Sequence, residues 1–152
     1  MDENLLIFWA KKSDDSAYHY PLLYHMLDTA VVCEEIWEKC LHASARQFLS
    51  RQLDLHEANT AHCLSFWAGL HDIGKAFPDF QSRSADSKHT LESLGFHFND
   101  VGGKDAPHGI ATACVLPGLF QGKLSPALAR KLSIVVGGHH GVFPDSEGMQ
   151  RW

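Results

Sequence analysis

Apolar residues recur at three- and four-residue intervals over most of this chain, and strict strand-like alternation is absent. From Pro21 to about Cys40, Leu23, Met26, Leu27, Ala30, Val31 and Trp37 follow that period, which predicts an amphipathic helix with proline at its permitted first turn. A shorter helix is expected over 43–53. A third is expected from Glu57 to Ile73, stopped by Gly74 in a left-handed conformation, so that His71 and Asp72 fall in its last turn. The polar, glycine-containing stretch 77–106 reads as a mobile surface excursion with about one helical turn. A helix then opens near Pro107, with His108 in its first turn, and Pro117 closes it. Ser125 and Pro126 supply the N-cap and first position of the last helix, which Gly137 and Gly138 stop immediately before His139. The expected fold class is all-α.

At 152 residues and 45% hydrophobic content, the chain is expected to form one globular domain over 1–152, large enough to bury a core. The formal net charge of -5 gives none of the overall basic character that would by itself indicate nucleic acid, so any polyanion binding has to be local. Bound divalent cations would supply such local charge. Cys33, Cys40, Cys63 and Cys114 include no closely spaced pair and are read as reduced, mostly core thiols. The apolar run near the start is too short for a signal peptide or a membrane span, which implies a cytoplasmic protein with no membrane partner.

Histidine and aspartate gather beside helix termini: His25, His71 with Asp72, His108, and His139 with His140. Imidazole and carboxylate suit manganese, iron, nickel, cobalt or zinc, and a site without thiolates favours open positions for water and substrate over a closed structural zinc. On a helix, adjacent residues point about 100° apart, so His71 and Asp72 are expected to serve two neighbouring ions rather than chelate one. Two ions roughly 3.5–4 Å apart activate water and clamp both oxygens of an in-line phosphoryl displacement. Lys75, placed beyond the helix stop, reads as a flexible ammonium beside a substrate phosphate.

The segments "YHMLDTA", "HDIGK", "PHGIATA" and "GGHHG", in that order, resemble the HD superfamily of metal-dependent phosphohydrolases. Within it they resemble the HD nuclease domain of the type I CRISPR-associated helicase-nuclease, from about Tyr20 to Gly141. That resemblance implies an HD-domain helical bundle with a metal site between helices, acting as an endonuclease on single-stranded DNA in CRISPR interference and antiviral defence. It implies up to two divalent transition metal ions, Mn, Ni, Co, Fe or Zn, with Mg an option. One ion would be held by His25, His71 and Asp72, and the other by Asp72, His108, His139 and His140. Asp72 and Lys75 are the catalytic candidates. The helicase portion and the surveillance complex are the implied partners. The family's pattern places a further ligand aspartate on a later helix, so a C-terminally truncated domain without a helicase portion is expected here.

Two other readings compete with nuclease action. One is an HD nucleotide phosphohydrolase, although "HHGVFPDSEG" lacks the acidic run of the cyclic-dinucleotide class. The other is a catalytically impaired HD module that docks to a helicase or surveillance complex. Taken singly, each histidine also has a structural explanation as a core or helix-end residue, and Asp28 reads as a partner of His25 or a solvated acid. Trp37, Phe66 and Trp67 are expected in the core.

Overall fold

Helix α1 (Leu22–Lys39) forms where the apolar spacing puts it and turns Leu22 and Trp37 into the core. This computed structural model describes residues 3–13, 18–98 and 107–150; the last part of the expected 77–106 excursion, 99–106, lies outside them. Helices α2 (Ala43–Leu53) and α3 (Glu57–Gly69) follow. His42 caps α2 by accepting from Ser44 N–H, and Asp54, with φ of 53°, ends it. Helix α3 packs along α1, and the later pair, α6 (His108–Leu119) and α7 (Pro126–Gly137), pack along each other. Ser125 caps α7 as expected, accepting from Leu128 N–H, with Pro126 in the first turn. Pro117 sits inside the last turn of α6 instead of closing it, so the helix runs two residues further. The architecture is the expected helical bundle.

Four expectations change. A short antiparallel hairpin, β1 (Trp9–Lys12) with β2 (His19–Pro21), precedes α1. The apolar run that feeds it buries Trp9 and Ala10, a tertiary role that local periodicity does not report. Helix α3 stops at Gly69, and a 3-10 turn (Ile73–Ala76) carries the chain onward, so His71 and Asp72 lie in a turn rather than on a helix. Stretch 77–98 is no loose excursion: α4 (Pro78–Gln81) and α5 (Ala85–Ser93) bury Phe80, Gln81, Ser84, Ser87 and Leu91. Its apolar residues are too sparse to show a period, yet Leu91 is 1% exposed. Finally, Phe66 is exposed, and none of the four free cysteines is fully buried.

Among the described residues no helix is long and apolar enough to cross a membrane. Much of what lies at zero exposure is polar: Thr60, Gln81, Thr112 and Ser133. Gln81 is fully engaged, its carboxamide accepting from Trp9 N–H and donating to the carbonyls of Trp9 and Lys75. It joins the hairpin to the turn that follows Asp72.

Candidate metal centre

Two close backbone crossings build the centre. A Cβ added to Gly74 would lie 2.1 Å from the carbonyl oxygen of His108, so only glycine lets the turn after Asp72 lie against the start of α6. The φ of Gly74 is not positive; close approach, not left-handed geometry, explains this glycine. A Cβ on Gly109 would lie 2.3 Å from the carbonyl oxygen of Gly137. That contact sets the start of α6 against the end of α7, beside His108 on one helix and just before His139 on the other. Thr112, one helical turn after His108, ties the arrangement: its hydroxyl accepts from Gly74 N–H at 2.9 Å and donates to the carbonyl of His71 at 3.0 Å.

The five histidines singled out in the sequence meet around Asp72, which is 3% exposed. Oδ2 lies 2.8 Å from His25 Nε2, 3.1 Å from His71 Nε2 and 2.7 Å from Lys75 Nζ. Oδ1 faces the other way, 3.0 Å from His108 Nε2 and 3.3 Å from His139 Nε2. His108 Nε2 is also 3.2 Å from His139 Nε2 and 2.9 Å from His140 Nε2. Two donor groups result, His25 with His71 and Asp72, and His108 with His139 and His140. The expectation that His71 and Asp72 cannot face one ion fails because it assumed helical geometry, which the turn does not have. His140 is exposed and leaves one side open to solvent.

The donor chemistry fits divalent cations. His71 Nδ1 contacts the carbonyl of Ala68 at 2.8 Å, and His139 Nδ1 that of Val136 at 3.0 Å. A carbonyl only accepts, so each Nδ1 carries a proton, and either ring, when neutral, turns an Nε2 lone pair inward. Those lone pairs point at the carboxylate and at one another. Oδ1 of Asp72 is buried and has no hydrogen-bond donor, despite two histidine nitrogens beside it. Acceptors facing acceptors need positive charge between them. Ligands at about 2.0–2.2 Å from a metal stand about 2.8–3.6 Å from one another, and the contacts between these nitrogens and oxygens fall between 2.8 and 3.3 Å. Nitrogen and oxygen donors without thiolate suit the borderline transition metals.

Electrostatics agree with that geometry. Burial pushes the Asp72 carboxyl up, but where protons on His108, His139 and His71 take the cation's place, they and Lys75 hold it well below the usual carboxylate range. The burial of His139 is likewise outweighed, so that Asp72 and the Val136 carbonyl raise it. Burial lowers His25 and outweighs the opposing effect of Asp72, which favours the neutral, coordinating imidazole. His140 is also lowered, by desolvation and by the neighbouring His139 and His108.

Lys75 departs from its expected role. It is 9% exposed, not a flexible surface ammonium, and Nζ lies 3.4 Å from the carbonyl oxygen of Ala10 in addition to its contact with Asp72. Asp28 does not meet His25 either; it accepts a hydrogen bond from the Tyr20 hydroxyl. Thr112 and Gln81 were missed in the sequence. Thr112 had one legible signal, a hydroxyl four residues after His108 on an otherwise apolar helix. Gln81 had none.

A family model described as "Cas3, HD domain" matches residues 9–151. The CRISPR-associated endonuclease/helicase Cas3 of Thermus thermophilus is 31% identical, over 99% of this chain and 16% of that protein. The Thermus thermophilus Cas3 HD domain, solved in the presence of Ni2+, superposes with a TM-score of 0.65 at 28% identity, over 96% of this chain and 53% of that one. A chain of a CRISPR RNA-guided surveillance complex in a pre-nicking state superposes at 0.80, also at 28% identity, over 96% of this chain and 18% of that chain. This chain thus spans about a sixth of the length of its curated relative.

Proposed function

This chain belongs to the Cas3 HD-domain family, and from that membership we propose that it is the metal-dependent nuclease of CRISPR type I interference, hydrolysing phosphodiester bonds of single-stranded DNA. The carrying observation is the single carboxylate of Asp72, whose two oxygens face two separate histidine groups.

His25, His71 and Asp72 would hold one ion, and Asp72, His108, His139 and His140 the other. When bound, the two ions supply Lewis-acid charge at the phosphate and lower the pKa of a coordinated water. The chain's own part is placement. The carbonyls of Ala68 and Val136 hold the His71 and His139 rings with Nε2 inward. Lys75 acts on Asp72 and not on the phosphate: its ammonium fixes the rotamer of the shared carboxylate and balances its charge while the site is being filled. The exposed edge at His140 leaves the second group of ligands open to a substrate phosphate.

With a net charge of -5, the chain has little general attraction for DNA, so delivery by a helicase portion and a surveillance complex determines where it cuts. Placement in the cytoplasm accords with that role.

The test pairs elemental analysis with cleavage of single-stranded DNA, duplex DNA and free nucleotides in manganese, nickel or cobalt, for the native chain and Asp72→Ala. Metal-dependent cleavage of single strands, lost together with bound metal in Asp72→Ala, is expected. Turnover of nucleotides without DNA cleavage would assign the centre to nucleotide hydrolysis.

A further inference from the structure

Where the hairpin meets α1, three tyrosines form a chain of ring contacts. Tyr18 and Tyr24 are 57% and 39% exposed, and the ring of Tyr20 lies between them, 6.3 Å from the first and 6.4 Å from the second. Large apolar rings set in a row on the surface of an acidic chain call for an occupant. Tyr20 cannot swing freely, because its hydroxyl is bonded to Asp28 on α1. The hairpin that carries Tyr20 touches the metal centre, since Lys75, paired with Asp72, reaches the carbonyl of Ala10 on β1.

Charge falls on the same edge. Lys11 is the cross-strand partner of Tyr20 in the hairpin, and cross-strand partners project on one face. Lys11 is also close enough for its charge to act on His25. A cation thus accompanies the tyrosines on the hairpin, in a molecule whose overall charge is negative.

We propose that Tyr18, Tyr20 and Tyr24, with Lys11, form a track for single-stranded nucleic acid that feeds the metal centre. This rests on the nuclease reading above and adds the surface that receives the strand. Unpaired bases stack on tyrosine faces whatever their sequence, and Lys11 meets a backbone phosphate. Each step of 6.3 to 6.4 Å is nearly twice the rise of about 3.4 Å per nucleotide of a stacked strand, which suits a strand drawn out of its own stacking. A duplex offers no free base faces there. The tether from Tyr20 to Asp28 keeps the middle ring in place before the strand arrives, so little ordering remains to be done on binding.

Binding of a fluorescein-labelled oligothymidylate, followed by anisotropy in EDTA, reads the track without cleavage. The paired substitution Tyr18→Ala and Tyr24→Ala is expected to weaken binding at least tenfold, while Tyr18→Phe with Tyr24→Phe stays within about twofold of the native chain. Lys11→Gln should weaken binding and lower the slope of log affinity against log salt by about one. Native affinity in the alanine pair would overturn the track and leave these rings to a protein partner. A phenylalanine pair as weak as the alanine pair would also overturn it, because the ring faces would then not be the binding element. The same oligonucleotide with manganese separates this proposal from the nuclease reading. Cleavage by a native chain whose alanine pair binds normally removes the track alone, whereas tyrosine-dependent binding with no cleavage in any metal removes the nuclease reading alone.

Discussion

Gly109 and Gly137 meet backbone to backbone, where a Cβ on either would come within 2.4 Å of the other's carbonyl oxygen. Neither residue carries chemistry, yet their contact decides whether His108 and His139 stand within 3.2 Å of each other. Gly109→Ala therefore forces α6 and α7 apart. The expected cost is about 1–3 kcal/mol of overpacking, with loss of metal at the His108, His139 and His140 group before the fold is lost. Thermal unfolding and calorimetric titration with nickel or manganese check it; unchanged stability and stoichiometry would show that the helices separate without consequence.

Thr112 is wholly buried, and its hydroxyl serves both Gly74 and His71. Thr112→Val keeps the shape, strands the Gly74 N–H and leaves the His71 carbonyl without its donor. Such a change costs about 1–3 kcal/mol, read as a lower urea midpoint with unchanged slope. Weaker metal binding should accompany it, because the same hydroxyl holds the turn that presents His71 and Asp72.

Lys75 distinguishes two roles by two readouts. As the partner of Asp72, its replacement in Lys75→Gln weakens metal affinity by about ten- to a hundredfold. Were it a phosphate contact, metal affinity would stay native and KM for the oligonucleotide would rise instead.

The depressed Asp72 pKa gives a signed pH dependence for the metal-free chain. Because the folded value lies below the unfolded one of about 3.9, the charged form contributes stability above roughly pH 4, and that contribution fades as the pH falls further. The difference in melting temperature between the native chain and Asp72→Asn is therefore widest near neutrality and narrows in acid. A gap that grows on acidification would contradict the assignment. With metal bound, a separate effect appears: protonation of the coordinating imidazoles on acidification competes with the ions, so metal release should precede unfolding.

What was readable in advance followed from local pattern. Helices α1, α2 and α7 declare themselves because each must bury one stripe at helical spacing and carries its own end signals, Ser125 with Pro126 being the clearest. The hairpin and α4 with α5 do not, because they are held by contacts made far away in the sequence. Gln81 binding Trp9 across a separation of 72 residues is the plainest case.

For the site, residue types together with the order of the motifs brought forward Asp72 and the five histidines. Spacing could not give the partition around them, which only the family resemblance implied. That depended on His71 and Asp72 leaving the helix, where a turn removes the angular separation that a helix imposes.

The sequence by itself determined the helical class, the donor chemistry and the family resemblance, because these reside in residue type and near-neighbour spacing. Only the tertiary structure decided which oxygen of Asp72 faces each histidine group and how closely, that Lys75 is buried against it, and that three tyrosines meet where the hairpin joins α1. Those relations arise where separate elements cross, and the distance of a crossing is set by atoms that no local pattern places.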